Sequence, residues 1–234
     1  MSLTSLLLLA DSRLPAGAHA HSGGLEAAVA AGRVNDAAEL HGFLLGRLTT
    51  VGLTGAAFAA AAVQAAGAMP AARGGSPDGG PFADLDTEYE ARTPSPAQRR
   101  ASRVLGRQLV RAVRAGWPHP ALDAAAAVHA DGPHQPIALG AAGAAAGLGA
   151  FDTAVAAALG AVSGPASAAT RLLGIDPNAV TAVLAALEPL VQDTAAAAVK
   201  AARGPAADLP SFSAPRLDVS AQHHSTWEVR LFAS

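Results

Sequence analysis

Apolar and polar positions alternate with helical spacing along most of the chain. Asp36 followed by Glu39 has the spacing of a capping box, in which two side chains satisfy the free N–H groups that begin a helix. Apolar side chains then recur at intervals of three and four residues, at Leu40, Phe43, Leu44 and Leu48. We predict a helix over about residues 36–51 and, after Gly52, a second, alanine-rich helix to about residue 68.

The N-terminal region has the pattern of a short helix, a turn and a second helix. Residues 6–10 are good helix formers, and Pro15 with Gly17 ends them, because proline lacks a backbone N–H and glycine tolerates positive φ. Ser22 is expected to accept from the first N–H groups of the next helix. Glu26 lies in the first turn of that helix, where a negative charge complements the dipole. A contact with a partner is an equally open role for Glu26.

A strongly amphipathic helix is predicted to begin near Pro96, a residue suited to a first helical turn. One face carries basic side chains at steps of three and four residues, at Arg99, Arg103, Arg107, Arg111 and Arg114. Such an arginine stripe is most often a solvated face, and the functional alternative is a surface for an acidic partner. A protein is favoured over nucleic acid, because no aromatic residues for base stacking are interleaved.

Local signals also mark the second half of the chain. The segment 140–164 is alanine-rich and predicts a buried helical pair. Asp176 and Pro177 form an N-cap and first-turn pair for a further helix. Arg171 is surrounded by apolar residues and must therefore reach solvent or find carboxylate or carbonyl partners, because an unpaired buried guanidinium is costly.

Proline- and glycine-rich stretches divide the chain. We predict a flexible linker near residues 69–86 and a loosely tethered C-terminal tail over 203–234. The tail contains Trp227, Leu231 and Phe232, so it is expected to dock either on the core of this chain or on a partner. With this linker and tail, residues 1–234 are predicted to form one all-α domain, a bundle of about eight to ten helices.

Composition supports that fold class. Hydrophobic residues make up 51% of the 234 residues but aromatic residues only 4%, which favours closely packed helices over a sheet.

The net charge of −2 gives no electrostatic reason to bind nucleic acid or acidic membranes. Cysteine is absent, which removes disulfides and thiolate sites and fits the cytoplasm best. We expect no membrane span and, since Asp11 and Arg13 interrupt the first apolar run, no secretory signal.

Enzymatic motifs are absent. The sequence contains no phosphate loop, no nucleophile elbow, no H-E-x-x-H and no EF-hand loop, so we expect neither catalysis nor a cofactor.

Two pairs of histidines are candidate metal ligands, because imidazole is a good ligand for nickel or zinc. The pairs are His19 with His21 and His223 with His224. Their spacing does not make a metal site the favoured reading, and whether they contact metal stays open. His134, a loop histidine before a proline, is expected to be structural, and the alternative is a pH-sensitive or metal-linked role.

The stretch LLLLADSRLPAGAHAHSGGLE is similar to the N-terminal signature of the urease accessory protein F (UreF) family. The matching positions are Leu14, Pro15, Gly17, Ser22, Gly24, Leu25 and Glu26. The block that begins at His134, the helix around Arg171 and the ending Arg230-Leu231-Phe232 also resemble family blocks. The chain departs from the family pattern over residues 174–177, which puts any partner contact of that loop in doubt.

The resemblance implies an all-α assembly factor that is not an enzyme. It would form a homodimer, bind the urease accessory protein D (also called H), recruit the GTPase accessory protein G, and help nickel enter apo-urease. On this reading the partner-interface candidates are Glu26, Arg171, Arg230 and Phe232. The alternative is a helical regulatory module that uses the arginine stripe to bind an acidic protein or nucleic acid.

Overall fold

The structure is a computed structural model that describes residues 3–11, 13–69 and 80–233. Its α-helices are α1 (Leu3–Ala10), α2 (Leu25–Ala30), α3 (Ala37–Arg47), α4 (Leu53–Gly67), α5 (Ala83–Ala91), α6 (Pro96–Gly116), α7 (Pro120–Ala127), α8 (Gln135–Ala145), α9 (Ala150–Leu173), α10 (Pro177–Ala201) and α11 (Pro215–His224). Within the described residues there is no β-strand, so the predicted all-α bundle is confirmed.

Helices α3 and α4 join into one continuous rod. Asp36 Oδ1 accepts from the N–H of Glu39 at 2.9 Å, and Glu39 Oε2 accepts from the N–H of Asn35 at 2.8 Å, so the predicted helix start is confirmed. A π-helical turn, Leu48–Gly52, links the two helices without a break. The expected division at Gly52 is therefore wrong, because a glycine inside a packed helix costs only about 1 kcal/mol and need not end it.

The core lies where α4, α8, α9 and α10 pack together through small side chains. Phe58 and most alanines of α4 are fully buried. A Cβ atom at Gly140 would overlap the side chain of Ala62, so α8 approaches α4 more closely than alanine would allow. The predicted buried alanine-rich pair corresponds to the end of α8 and most of α9.

The prediction of a flexible linker is wrong for its second half. Residues 80–91 form a 3₁₀ turn followed by α5, and Phe82, Leu85 and Asp86 are buried. Apolar side chains and a paired acid anchor this segment, although it directly follows a glycine- and proline-rich stretch. Residues 70–79, which carry the rest of the predicted linker, lie outside the described residues.

The C-terminal tail is folded onto the bundle. Leu209, His224 and Phe232 are buried, and Arg92 Nη2 donates to the carbonyl of Leu209 at 3.2 Å. The N–H of Ala233 donates to the carbonyl of Ala20 at 2.7 Å. Loose tethering over residues 203–233 is thus wrong, and of the two docking alternatives the structure shows docking on the chain's own core.

Two helical stretches are long and apolar enough to cross a membrane by length and composition, Ala37–Gly67 and Pro177–Ala201. Both stretches are interrupted by charged or helix-breaking residues, the first by Glu39 and Arg47 and the second by Glu188 and Pro189. Core helices meet the same criteria, and α4 packs against α8, α9 and α10. Length and apolar composition are therefore weak evidence for a span here.

Candidate partner-binding surface

The beginning of α2 is shaped by a left-handed glycine and a buried serine. Gly24 has φ 90°, a conformation that glycine adopts without the steric penalty of a side chain. Ser22 is fully buried, and its Oγ accepts from the N–H of Glu26 at 3.2 Å, as predicted for the helix start. This turn directs the Glu26 side chain toward the C-terminal tail.

Glu26 holds the tail through three contacts. Its Oε1 accepts from the N–H of Leu231 at 2.7 Å, and its Oε2 accepts from the N–H of Phe232 at 3.1 Å. His224 Nε2 lies 2.8 Å from the same Oε2. Glu26 is only 7% exposed, so its carboxylate is occupied within the chain. In this structure it acts as an anchor for the tail.

Arg171 lies beside the buried end of the tail. Its guanidinium carbon is 4.8 Å from the ring centroid of Phe232, within the range of a cation–π contact. Its Nη2 also donates to the carbonyl of His19 at 3.4 Å. Arg171 is exposed while Phe232 is buried, so the arginine both reaches solvent and has a carbonyl partner, the two being alternatives in the prediction.

Three of the four interface candidates, Glu26, Arg171 and Phe232, therefore form one cluster. The fourth, Arg230, lies on the outer side of the tail, where its Nη1 donates to the carbonyl of Ser225 at 3.4 Å. On either side of Arg230, Val229 is 88% exposed and Leu231 is 72% exposed. We call Val229, Arg230 and Leu231 the tail surface.

The predicted arginine stripe is not a single exposed face. Arg103 is buried, donates to Asp86 Oδ2 at 3.0 Å and to the carbonyl of Gly132 at 2.8 Å, and also pairs with Glu90. The predicted exposed stripe is wrong at Arg103, because Asp86 and Glu90 of α5 supply carboxylates that pair with this arginine.

The other stripe arginines have different surroundings. Arg99 donates to the carbonyl of Thr93 at 3.0 Å, and Arg107 to that of Asp131 at 2.7 Å. Arg114 pairs with Asp123 at 2.6 Å. Arg111 is exposed. The basic face is therefore interrupted at Arg103, while Arg107, Arg111 and Arg114 remain exposed.

His134 belongs to the same buried network as Arg103. Its N–H donates to Asp86 Oδ1 at 2.8 Å, and its Nε2 lies 3.0 Å from Glu90 Oε2. Burial lowers the pKa of His134, although Asp86 and Glu90 oppose that shift. The hydrogen bond from Arg103 lowers the pKa of Glu90. These contacts tie the start of α8 to α5, which agrees with the structural role expected for His134.

The histidines at the two ends of the chain have different surroundings. Burial lowers the pKa of His21, and His19 is exposed. His223 Nδ1 accepts from Trp227 Nε1 at 3.3 Å, while His224 contacts Glu26. Across residues 3–11, 13–69 and 80–233, no three His, Cys, Asp or Glu side chains are grouped so that they could hold a metal ion.

Comparison with known proteins decides the family. A sequence model of the UreF family matches residues 34–188. The chain belongs to the UreF family. The urease accessory protein UreF of Mycolicibacterium vanbaalenii is 46% identical over 233 residues, covering 100% of this chain and 99% of the relative. UreF proteins of Mycobacterium marinum and Mycobacterium tuberculosis are 45% and 40% identical over the same shares. The resemblance noted in the sequence is therefore confirmed.

Sequence reasoning missed two features of this UreF-family chain. It did not pair Glu26 with His224 or Arg103 with Asp86, because these partners are 198 and 17 positions apart and no local motif relates them. One available signal was the apolar tail with its adjacent histidine. Adjacent apolar side chains favour a docked tail over a loosely tethered one, because large exposed apolar patches are rare on protein surfaces.

Proposed function

We propose that this UreF-family chain is an adaptor in urease maturation that helps nickel enter apo-urease. Family membership supports a role in urease maturation, and the accessory-protein names of its relatives indicate a non-catalytic chaperone role. The observation that carries the proposal is similarity along the whole chain, at 40–46% identity, to proteins named urease accessory protein UreF.

The partners that we propose are the urease accessory protein D (or H), the GTPase accessory protein G, and apo-urease. The chain would bridge the first two as a cytoplasmic homodimer, with nickel as cargo and not as a resident ion. We propose neither nucleic acid nor a membrane as a partner. Urease activity itself would remain with the matured enzyme.

The tail surface supports an adaptor role. Val229 and Leu231 present apolar side chains to solvent on both sides of Arg230, and adjacent exposed apolar groups are characteristic of protein interfaces. Glu26 and Phe232 hold this segment from beneath, so the surface is ordered before any partner arrives. Preorganisation lowers the entropic cost of binding. We propose this surface, with Arg171 beside it, as a contact with accessory protein D.

Co-expression with accessory proteins D and G, followed by pull-down and sizing, tests the proposal. A stable assembly that contains all three proteins is expected. A chain that is helical by circular dichroism but binds neither protein would contradict the adaptor role.

Variants within the same assay test the tail surface. Deletion after Gln222 is expected to abolish binding to accessory protein D, and the double substitution Val229→Asp with Leu231→Asp is expected to weaken it by at least about tenfold, or 1.4 kcal/mol. Val219→Asp is the matched control, since Val219 is also highly exposed but lies on α11 outside the tail surface. Equal binding of all variants would remove the tail surface from the proposal.

A further inference from the structure

Four exposed arginines form one row along α6. With about 100° of rotation per residue, their side chains project within about 60° of one another. They are Arg100, Arg107, Arg111 and Arg114. The buried apolar residues of α6 lie on the other side of the helix, and the row extends over about 21 Å at 1.5 Å per residue. We call these four side chains the arginine row.

The arginine row differs from the stripe that the sequence predicts. Arg103 is excluded, because its guanidinium is buried against carboxylates of α5. Arg99 is excluded as well, since it donates to the carbonyl of Thr93 in the loop before α6. Arg100, which is exposed, takes their place near the start of the helix. The tertiary structure therefore reduces a broad stripe to a narrow line of cations.

Most of the charge in the row is not neutralised by the described residues. Arg100 and Arg111 form no hydrogen bond or ion pair with any of them. Arg107 Nη1 donates to a backbone carbonyl at 2.7 Å, which leaves its positive charge in place, while Arg114 pairs with Asp123 at 2.6 Å. Like charges three and four residues apart on a helix repel one another. An anionic partner would relieve this repulsion.

The positive region is narrow. On one side it is bounded by Asp123 and Asp131, whose side chains are 69% and 75% exposed. On the other side the neighbouring residues of α6, Val104 and Gln108, carry no charge. The row is therefore long and thin, with a width close to the 10–12 Å diameter of about one α-helix.

We propose that the arginine row binds an acidic α-helix of a protein partner, with carboxylates at matching steps of three and four residues. Arginine suits this task, because its planar guanidinium can bind a carboxylate through two parallel hydrogen bonds. Single exposed ion pairs contribute little, so recognition depends on a series of them in register. The inference goes beyond the proposed function, since the row lies on α6 and shares no residue with the tail surface.

A helical protein segment fits the row better than nucleic acid. A duplex presents phosphates on both strands over a face wider than one helix, and these would approach the carboxylates of Asp123 and Asp131. A single acidic helix can contact the four arginines and leave both aspartates in solvent. The net charge of −2 also gives the chain no general attraction for a polyanion.

A designed peptide tests the match in spacing. The probe is a fluorescein-labelled, alanine-based helical peptide with glutamates at steps of three and four residues along one face. Its isomer has the same composition, with the glutamates spread around the helix. We expect fluorescence anisotropy to show that the full-length chain binds the one-faced peptide at least about fivefold more tightly than the isomer. Added salt should weaken this binding, because exposed charges are screened.

Charge reversal tests the row itself. Arg100→Glu with Arg111→Glu removes two side chains that make no contact within the described residues, so the helical circular dichroism spectrum should be retained. We expect this double variant to weaken binding of the one-faced peptide by at least about tenfold. Arg203→Glu with Arg216→Glu is the matched control, since it changes the net charge equally at two exposed positions outside α6. The control should bind within about twofold of the wild-type chain.

Three results would overturn the proposal. Equal affinity for the two peptides, or no binding of either at low salt, would show that the spacing of the row is not recognised. Equal weakening in the row variant and the control would show that net charge alone is responsible. Tighter binding of a mixed-sequence DNA duplex than of the one-faced peptide, lost in the row variant, would assign the row to nucleic acid.

Discussion

The carboxylate of Glu26 accepts a hydrogen bond from the backbone N–H of Phe232, 206 positions later in the chain, at 3.1 Å. A residue in the first turn of α2 thus holds the C-terminal tail in place. Because the same carboxylate also accepts from Leu231 and contacts His224, the tail surface is expected to depend on this one side chain.

Replacing Glu26 by alanine is expected to release residues 225–233. The loss of the charge-assisted hydrogen bonds leaves two backbone N–H groups without their acceptor and should cost about 2–3 kcal/mol of local stability. Hydrogen exchange at the amides of Leu231 and Phe232 measures this directly and should accelerate strongly. Glu228→Ala, an exposed glutamate within the tail, is the control. Unchanged protection of both amides in the Glu26 variant would contradict the anchoring role.

Arg171 is expected to matter more for assembly than for folding. Its contact with the Phe232 ring is exposed, and such cation–π contacts are worth about 0.5–1 kcal/mol. Arg171→Ala should therefore keep its helical circular dichroism spectrum while weakening complex formation or urease activation. Arg203→Ala, at an exposed position outside the cluster, is the matched control. Full urease activation by the Arg171 variant, in a strain that lacks the native gene, would rule out this role.

Arg103 is expected to matter for folding. Replacing it by methionine leaves the buried Asp86 carboxylate without its cation, and breaking a buried ion pair in this way costs about 3–5 kcal/mol. Urea denaturation should show a much lower midpoint for Arg103→Met than for the wild-type chain. Arg111→Met, on the same helix but exposed, should change the free energy of unfolding by less than about 0.5 kcal/mol. Equal midpoints for the two variants would show that the buried network does not stabilise the fold.

His134 makes stability depend on pH. Burial lowers its pKa below the ordinary value of 6.5, so the unfolded chain binds a proton more readily than the folded chain. Its contribution is complete above pH 6.5 and is lost as the pH falls through the interval between the two pKa values. His134→Gln should therefore flatten the decline of the melting temperature from pH 7.5 to pH 5.5. His21, whose pKa is also lowered by burial, is present in both chains and cancels in the comparison. Identical pH profiles would contradict this assignment.

Helix starts could be predicted from the sequence, because the signals that determine them act within one or two helical turns. Asp36 with Glu39 marked a true helix start, and Asp176 caps α10 through the N–H of Asn178 at 2.9 Å. The family also followed from short blocks of residues. The all-α class followed from composition, since alanine-rich helices can pack without large aromatic side chains.

Tertiary pairing could not be predicted in the same way. The arginines of α6 have regular spacing, but that spacing does not reveal that α5 places Asp86 and Glu90 over Arg103. Likewise, a glycine- and proline-rich composition suggested a linker, whereas the burial of Phe82 and Leu85 depends on neighbours elsewhere in the chain.

The nickel content of urease tests the central claim most directly. Urease is co-expressed with its accessory proteins D and G, with or without this chain, and the purified enzyme is assayed for bound nickel and for urea hydrolysis. The adaptor role predicts nickel-loaded, active urease only when this chain is present. Equal nickel content and activity in its absence would contradict a role in urease maturation.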